Sequence, residues 1–269
     1  MQSSNLGPID GPVRLPIRGG AYERPTESQL AALRKVSSAT ASATLNRMGV
    51  RNVFLRGPKS LADGNHVVGS ALTLQFMPQR DDIASGQSQE YIESRTALWA
   101  VFDAAQSGDM LVIAAEADPE TGCVGEMLGS YFANQGGVGI VVDGCIRDWP
   151  KVRELKLPIW STGTTPNYAS QAGYFPWAYD IPISCGGALV LPGDAIVADD
   201  DGVVVVPHRL IDELVSLTQS INEWETFARQ SIDDGGRLSK YYPLSDEAKV
   251  EYEEWQHSQK GVNTLDLPL

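Results

Sequence analysis

A chain of 269 residues with 42% hydrophobic and 20% charged residues can bury one sizeable core. At roughly 150 residues per domain it makes one large domain or two small ones. Its 34 acidic against 21 basic residues leave a formal charge of -13, which excludes nucleic-acid binding as the main role, since phosphate backbones need clustered Lys and Arg. Small anions are not excluded, because one Arg or a bound cation can reverse the sign inside a single pocket.

Residues 1–25, with Pro8, Pro12, Pro16, Pro25 and several glycines, read as an extended arm, either disordered or draped over a neighbouring copy. From Thr26 to Met48 the pattern is helical, with Thr26 and Glu27 suiting a helix start. A second short helix over Thr40–Met48 ends at Gly49. Val67–Phe76 reads as a strand and Glu90–Gln106 as a helix that offers Tyr91, Ala97, Leu98 and Phe102 for burial. Next come a buried strand Met110–Ala115, a helix Gly125–Asn134, a strand Gly139–Val142, a short helix Trp149–Leu155 and a short strand Ile159–Ser161. Apolar strands alternating with helices argue for a parallel sheet buried on both sides.

The pattern then changes to closely spaced strands, Ala188–Leu191, Ala195–Ala198 and Val203–Val206, with Asp200-Asp201-Gly202 turning the last hairpin. Asp199, Asp200 and Asp201 are read as turn residues and not as a metal cluster. A long helix from His208 to Ser231 carries Leu210, Leu214, Leu217, Ile221, Trp224 and Ala228 as one apolar stripe, and Gly235-Gly236 ends it. In the acidic tail Ser245 can cap one more helix. The domain organisation is an arm over 1–25, one α/β domain over 26–231 with parallel and antiparallel sheet, and a C-terminal acidic extension over 232–269.

Cys123, Cys145 and Cys185 are an odd set without CxxC spacing, read as small buried apolar residues and not as a disulfide or zinc framework. The N-terminus lacks an apolar signal core, and no apolar run approaches the roughly 20 residues of a membrane span. A soluble, cytoplasmic protein with no membrane partner is expected. HExxH, GxSxG and the P-loop motif are absent. The glycines at 136, 137 and 139 precede their strand, so they do not form a dinucleotide loop. No lysine lies in an apolar strand, which argues against imine chemistry.

One region concentrates polar groups beside apolar strands: Gly125-Glu126-Met127-Leu128-Gly129 and Asp143-Gly144-Cys145-Ile146-Arg147-Asp148. The first opens a helix, whose free N–H groups favour an anion. The second leaves a strand at its C-terminal end, where sites of open α/β sheets lie. Arg recognises carboxylates bidentately, and a pair of carboxylates can hold Mg²⁺ with several waters.

The segment GEMLGSYFANQGGVGIVVDGCIRDWPKVRELKLPIWSTGTTP resembles the signature region of the RraA-like family, which includes metal-dependent 4-hydroxy-4-methyl-2-oxoglutarate / 4-carboxy-4-hydroxy-2-oxoadipate aldolases. VVGSALTLQF resembles that family's early strand and PGDAIVADDDGVVVVP its late hairpin, so the likeness covers about residues 28 to 231. It implies a mixed-sheet β/β/α swivelling-domain fold. It also implies an acidic residue separated by twenty residues from Arg-Asp, here Glu126 and Arg147-Asp148. The family's acid is usually Asp, and its SDAL reads Ser42-Ala43-Thr44-Leu45 here.

By the resemblance Asp148 and Glu126 hold a divalent metal, Mg²⁺ or Mn²⁺, while Arg147 binds the 2-oxo group and steadies an enolate. The amides of Gly125, Glu126, Met127 and Leu128 hold the substrate carboxylate. Glu223 or Glu225 of an adjacent protomer completes the site in a homotrimer or homohexamer. The implied activity is a metal-dependent carbon–carbon lyase, an aldolase or oxaloacetate decarboxylase acting on a small 2-oxo acid to give pyruvate. The alternatives are a dehydratase of a sugar-derived 2-oxo acid and a non-catalytic ribonuclease regulator.

Overall fold

A computed structural model describes residues 15–80, 93–169, 171 and 173–262. Its contacts divide the chain into two units, Met1–Leu214 and Val215–Leu269. The first unit opens with β1 (Ile17–Arg18), α1 (Glu27–Leu33), α2 (Ser38–Arg47), β2 (Lys59–Ser60) and β3 (His66–Pro78). It continues through α3 (Ala97–Asp103), β4 (Asp109–Gly122), α4 (Glu126–Asn134), β5 (Gly139–Ile146), α5 (Trp149–Val152) and β6 (Ile159–Thr164). After β7 (Tyr174–Tyr179) and β8 (Ile183–Cys185) come β9 (Ala188–Val190), β10 (Ala195–Asp199) and β11 (Val203–Val206). The last helices are α6 (Ile211–Asp233), α7 (Leu238–Tyr241) and α8 (Asp246–Val262).

Nine strands form one mixed sheet, with β3, β4, β5 and β6 running parallel in that order. The long β3 is shared on its other edge. Val67 to Ser70 pair antiparallel with β10, and Leu74 to Pro78 pair antiparallel with β7. The period-2 alternation of strand side chains divides the core. Leu72, Leu111, Ile113 and Val142 face α3 and α4, while Met110, Val112, Val141 and Trp160 pack against β8 to β11. This two-sided burial is why the central strands read as continuous apolar runs.

Thr26 caps α1, accepting from the Gln29 amide while the Gln29 side chain accepts from the Thr26 amide, a reciprocal capping box. Ser37 caps α2 and separates two helices where the sequence suggested a break nearer Thr40. Strand β7 was not anticipated, because Pro176 lies inside it. Its other neighbour β1 pairs only at Ala178 and Tyr179, so Pro176 has a paired strand on one side alone, opposite Phe76.

The described part of the arm docks on its own chain. Ile17 and Arg18 extend the sheet beside β7, and Arg24 forks onto Asp109 at 2.7 and 3.0 Å. Residues 1–14 and the start of the helix expected from Glu90, including Tyr91, lie outside the described residues.

Asp199 to Gly202 form the expected hairpin. The carboxylate of Asp199 accepts from the Ser38 amide and hydroxyl, and that of Asp200 from the Gly64 amide, so both serve turns and caps. All three cysteines are buried and free. Along α6 the buried face runs through Ile211, Leu214 and Thr218, one step away from the predicted stripe at Leu217, which is exposed. In the second unit Phe227 gathers Tyr241, Tyr252 and Trp255 at 5.5 to 5.9 Å between ring centres. Ser245 caps α8 through the Ala248 amide, and the acidic tail is thus a helical extension. Among the described residues no helix is long and apolar enough to cross a membrane.

Candidate active site

The site is built where β4 loses regular pairing. Register shifts after Ala114 and again after Asp118, with Glu116 and Ala117 at positive φ, return Gly122 beside Cys145. The Cys123 amide then donates to the Cys145 carbonyl and the Arg147 amide to the Val124 carbonyl, both at 2.9 Å. These two bonds hold the loop that opens α4 against the end of β5. They bring Gly125 beside Arg147 and Asp148, twenty-two residues later in the chain.

A Cβ at Gly125 would stand 2.6 Å from Asp148 Oδ2 and 3.0 Å from Arg147 Cγ and Nε. Only glycine leaves room for that pair to lie against the helix start. Asp148 is left-handed, at φ 57 and ψ 28, a conformation that Asp tolerates better than most residues. Its carbonyl starts α5 by accepting from Lys151 and Val152. Its Oδ2 lies 3.5 Å from Arg147 Nε, and both side chains are partly exposed.

These groups border a cavity of about 490 Å³ between α3 and α4. Gly125, Met127, Leu128, Arg147 and Asp148 line it together, so most of the residues singled out from sequence meet in one place. Glu126 does not line it. Its carboxylate pairs with Lys151 at 3.0 Å, and that contact raises the lysine pKa. Glu223 and Glu225 belong to the second unit. There Glu223 accepts from Gln256 Nε2 at 3.0 Å and from Tyr252 Oη at 3.3 Å, and Glu225 lines a separate cavity with Arg229 and Tyr242.

Sequence reasoning missed Trp99, Asp103 and Tyr131, which also line the cavity. Trp99 and Asp103 are four residues apart on α3, so they share a helical face. That spacing is legible, but the element it faces is not. Phe102 and Phe132 join α3 to α4 edge-to-face at 6.0 Å, and Tyr131 donates from its hydroxyl to Asp103 at 2.9 Å.

Among the described residues no group of three or more His, Cys, Asp or Glu side chains could enclose a metal ion. The donor set still fits a hard cation such as Mg²⁺, which takes one or two carboxylates and keeps several waters. Asp148 supplies such a carboxylate at the cavity, and the missing Cβ of Gly125 leaves its Oδ2 accessible.

The profile of the family described as RraA-like (Aldolase/RraA) matches residues 36–205. The chain belongs to the Aldolase/RraA family. A relative in Halalkalibacterium halodurans, provisionally named a 4-hydroxy-4-methyl-2-oxoglutarate aldolase, is 36% identical over 184 residues, covering 68% of this chain and 80% of that protein. Among solved structures, Streptomyces coelicolor RraAS2, described as an unusual member of the RNase ES inhibitor RraA protein family, is 53% identical with a TM-score of 0.72. That likeness covers 78% of this chain and 99% of RraAS2. An uncharacterised protein of Pseudomonas syringae matches at 25% identity and a TM-score of 0.69, over 82% of this chain and 100% of its own. This member of the Aldolase/RraA family thus has the mixed sheet and adds the C-terminal helices described above.

Proposed function

We propose that this chain is a divalent-metal-dependent lyase, of aldolase or oxaloacetate decarboxylase type, that cleaves a small 2-oxo acid to release pyruvate. The observation that carries this reading is that Arg147 and Asp148 open into the same cavity as the amino end of α4. The free N–H groups of that helix end and its dipole suit the substrate carboxylate. Arg147 pairs with the 2-oxo oxygen, where charge grows as the carbon–carbon bond breaks. Asp148 would hold the cation, with Glu126, paired with Lys151 at 3.0 Å, as the second carboxylate of the motif. Mg²⁺ or Mn²⁺ bound there supplies Lewis-acid stabilisation of the developing enolate charge.

For the aldol reaction Glu223 or Glu225 of an adjacent copy takes the hydroxyl proton, in a cytoplasmic homotrimer or homohexamer. Decarboxylation of oxaloacetate needs no such base. Metal-dependent pyruvate release from 4-hydroxy-4-methyl-2-oxoglutarate or oxaloacetate, abolished by EDTA, is the expected result. No pyruvate from either substrate with folded, metal-loaded protein overturns the lyase.

The 53% identity to RraAS2 favours a second reading, a ribonuclease regulator. Inhibition of a purified RNase E-type nuclease that persists in EDTA, with no pyruvate release, selects it.

Gly125→Ala separates chemistry from folding. Its φ of -128 accepts alanine, and the new methyl displaces the Asp148 carboxylate and crowds the Arg147 stem, both on partly exposed side chains. Stability is expected to change by less than about 1 kcal/mol. Pyruvate release falls by roughly 10²-fold, the scale on which a 1 Å misplacement acts. Unchanged turnover would remove the pair from the reaction.

A further inference from the structure

Two carboxylates and two cationic side chains meet at the amino ends of α4 and α5. Arg147 Nε lies 3.5 Å from Asp148 Oδ2, and Lys151 Nζ lies 3.0 Å from Glu126 Oε2. The four charges cancel. A divalent cation placed on this acid pair must therefore draw a carboxylate away from a partner it already has.

The two ion pairs are not alike. Asp148 and Arg147 both line the cavity, and the Arg147 amide is held by the Val124 carbonyl at 2.9 Å. Glu126 does not line it. It is one methylene longer than the family's usual Asp, and its carboxylate ends on Lys151. The Lys151 amide donates to the Asp148 carbonyl at 2.9 Å, so the lysine backbone is fixed to one acid of the motif while its side chain holds the other. That side chain is 69% exposed on a flexible four-carbon stem, which makes its bond to Glu126 the one an added cation can break.

We infer that Lys151 sets the cation affinity of this site by competing with the cation for Glu126. It acts through that carboxylate and is a positioning residue. The inference rests on the metal-dependent lyase reading for the cation at Asp148, and its test reads binding separately from turnover. The probe is Mn²⁺, titrated into the full chain without substrate, with the free ion followed by its EPR signal. Lys151→Met is expected to bind Mn²⁺ about fivefold tighter than the parent, the scale of an exposed ion pair that the cation no longer has to break. Lys151→Arg keeps the pair and should stay within about twofold of the parent. Once Glu126→Gln has removed the carboxylate, adding Lys151→Met should change the affinity by less than about twofold. Both side chains are partly exposed, so every variant should melt within about 2 °C of the parent.

A fivefold gain that persists in the Glu126→Gln background overturns the inference, because the lysine charge then acts on the cation directly. Unchanged affinity in Lys151→Met also overturns it, and metal-dependent pyruvate release by the same protein would leave the lyase standing. Mn²⁺ bound by no variant removes the inference and the metal-dependent reading together. A gain that requires Glu126, without pyruvate release by the parent, keeps the inference and removes the lyase.

Discussion

Arg147→Ala is expected to lower pyruvate release by roughly 10²–10³-fold, the usual cost of removing one preorganised donor to a developing oxyanion. The guanidinium is partly exposed and its ion-pair partner among the described residues is Asp148, so the fold does not depend on it. The melting temperature should therefore stay within about 2 °C of the parent. Arg147→Lys should recover little, because an ammonium is a point charge without the planar fork that grips an oxygen pair. A variant that kept more than about half of the parent activity would end the assignment of Arg147 to the chemistry. Parallel loss of stability and activity would make it a structural residue.

Arg24→Ala is expected to be the most damaging single change outside the site. Asp109 begins β4 with its side chain wholly buried, and it accepts from Arg24 at 2.7 and 3.0 Å and from the Gln106 amide at 2.8 Å. Removing the arginine leaves a buried carboxylate without its counter-charge, which costs about 3–5 kcal/mol. For a chain of this size that is a fall in melting temperature of roughly 10 °C. The guanidinium also lies 4.8 Å from the Tyr22 ring, so the same change loosens the arm where it crosses the start of the sheet. A double variant, Arg24→Met with Asp109→Leu, should regain much of the loss because no unpaired charge remains. A melting temperature within about 2 °C of the parent in Arg24→Ala would show that water reaches Asp109 and compensates it.

The two predictions differ in how much of their basis was legible in sequence. Arg147 could be named through the resemblance to the RraA-like family, whose motif implies an acidic residue, twenty residues and Arg-Asp. Arg24 could not be named. Its partner is 85 residues away, and nothing local marks an arginine in a proline-rich arm as the counter-ion of a strand's first residue. Glu126 shows the same gap in the site itself. Its place at the start of α4 follows from sequence, but its pairing with Lys151 depends on how α5 lies beside it.

Taken alone, the sequence determined the alternation of strand and helix from β3 to β6, the closing hairpin of β10 and β11, and the helical tail. These follow from apolar periodicity, capping residues and turn glycines within a few positions of one another. It also drew attention to Gly125, Arg147 and Asp148, which line one cavity. Tertiary structure alone decided that the arm adds β1 to the sheet and that β7 tolerates Pro176. It decided too that Trp99, Asp103 and Tyr131 line one cavity, with Tyr131 donating to Asp103. The physical reason is that local pattern says which face of an element is buried. Which element lies opposite is set by long-range packing and by the matching of buried charges, and neither leaves a local trace.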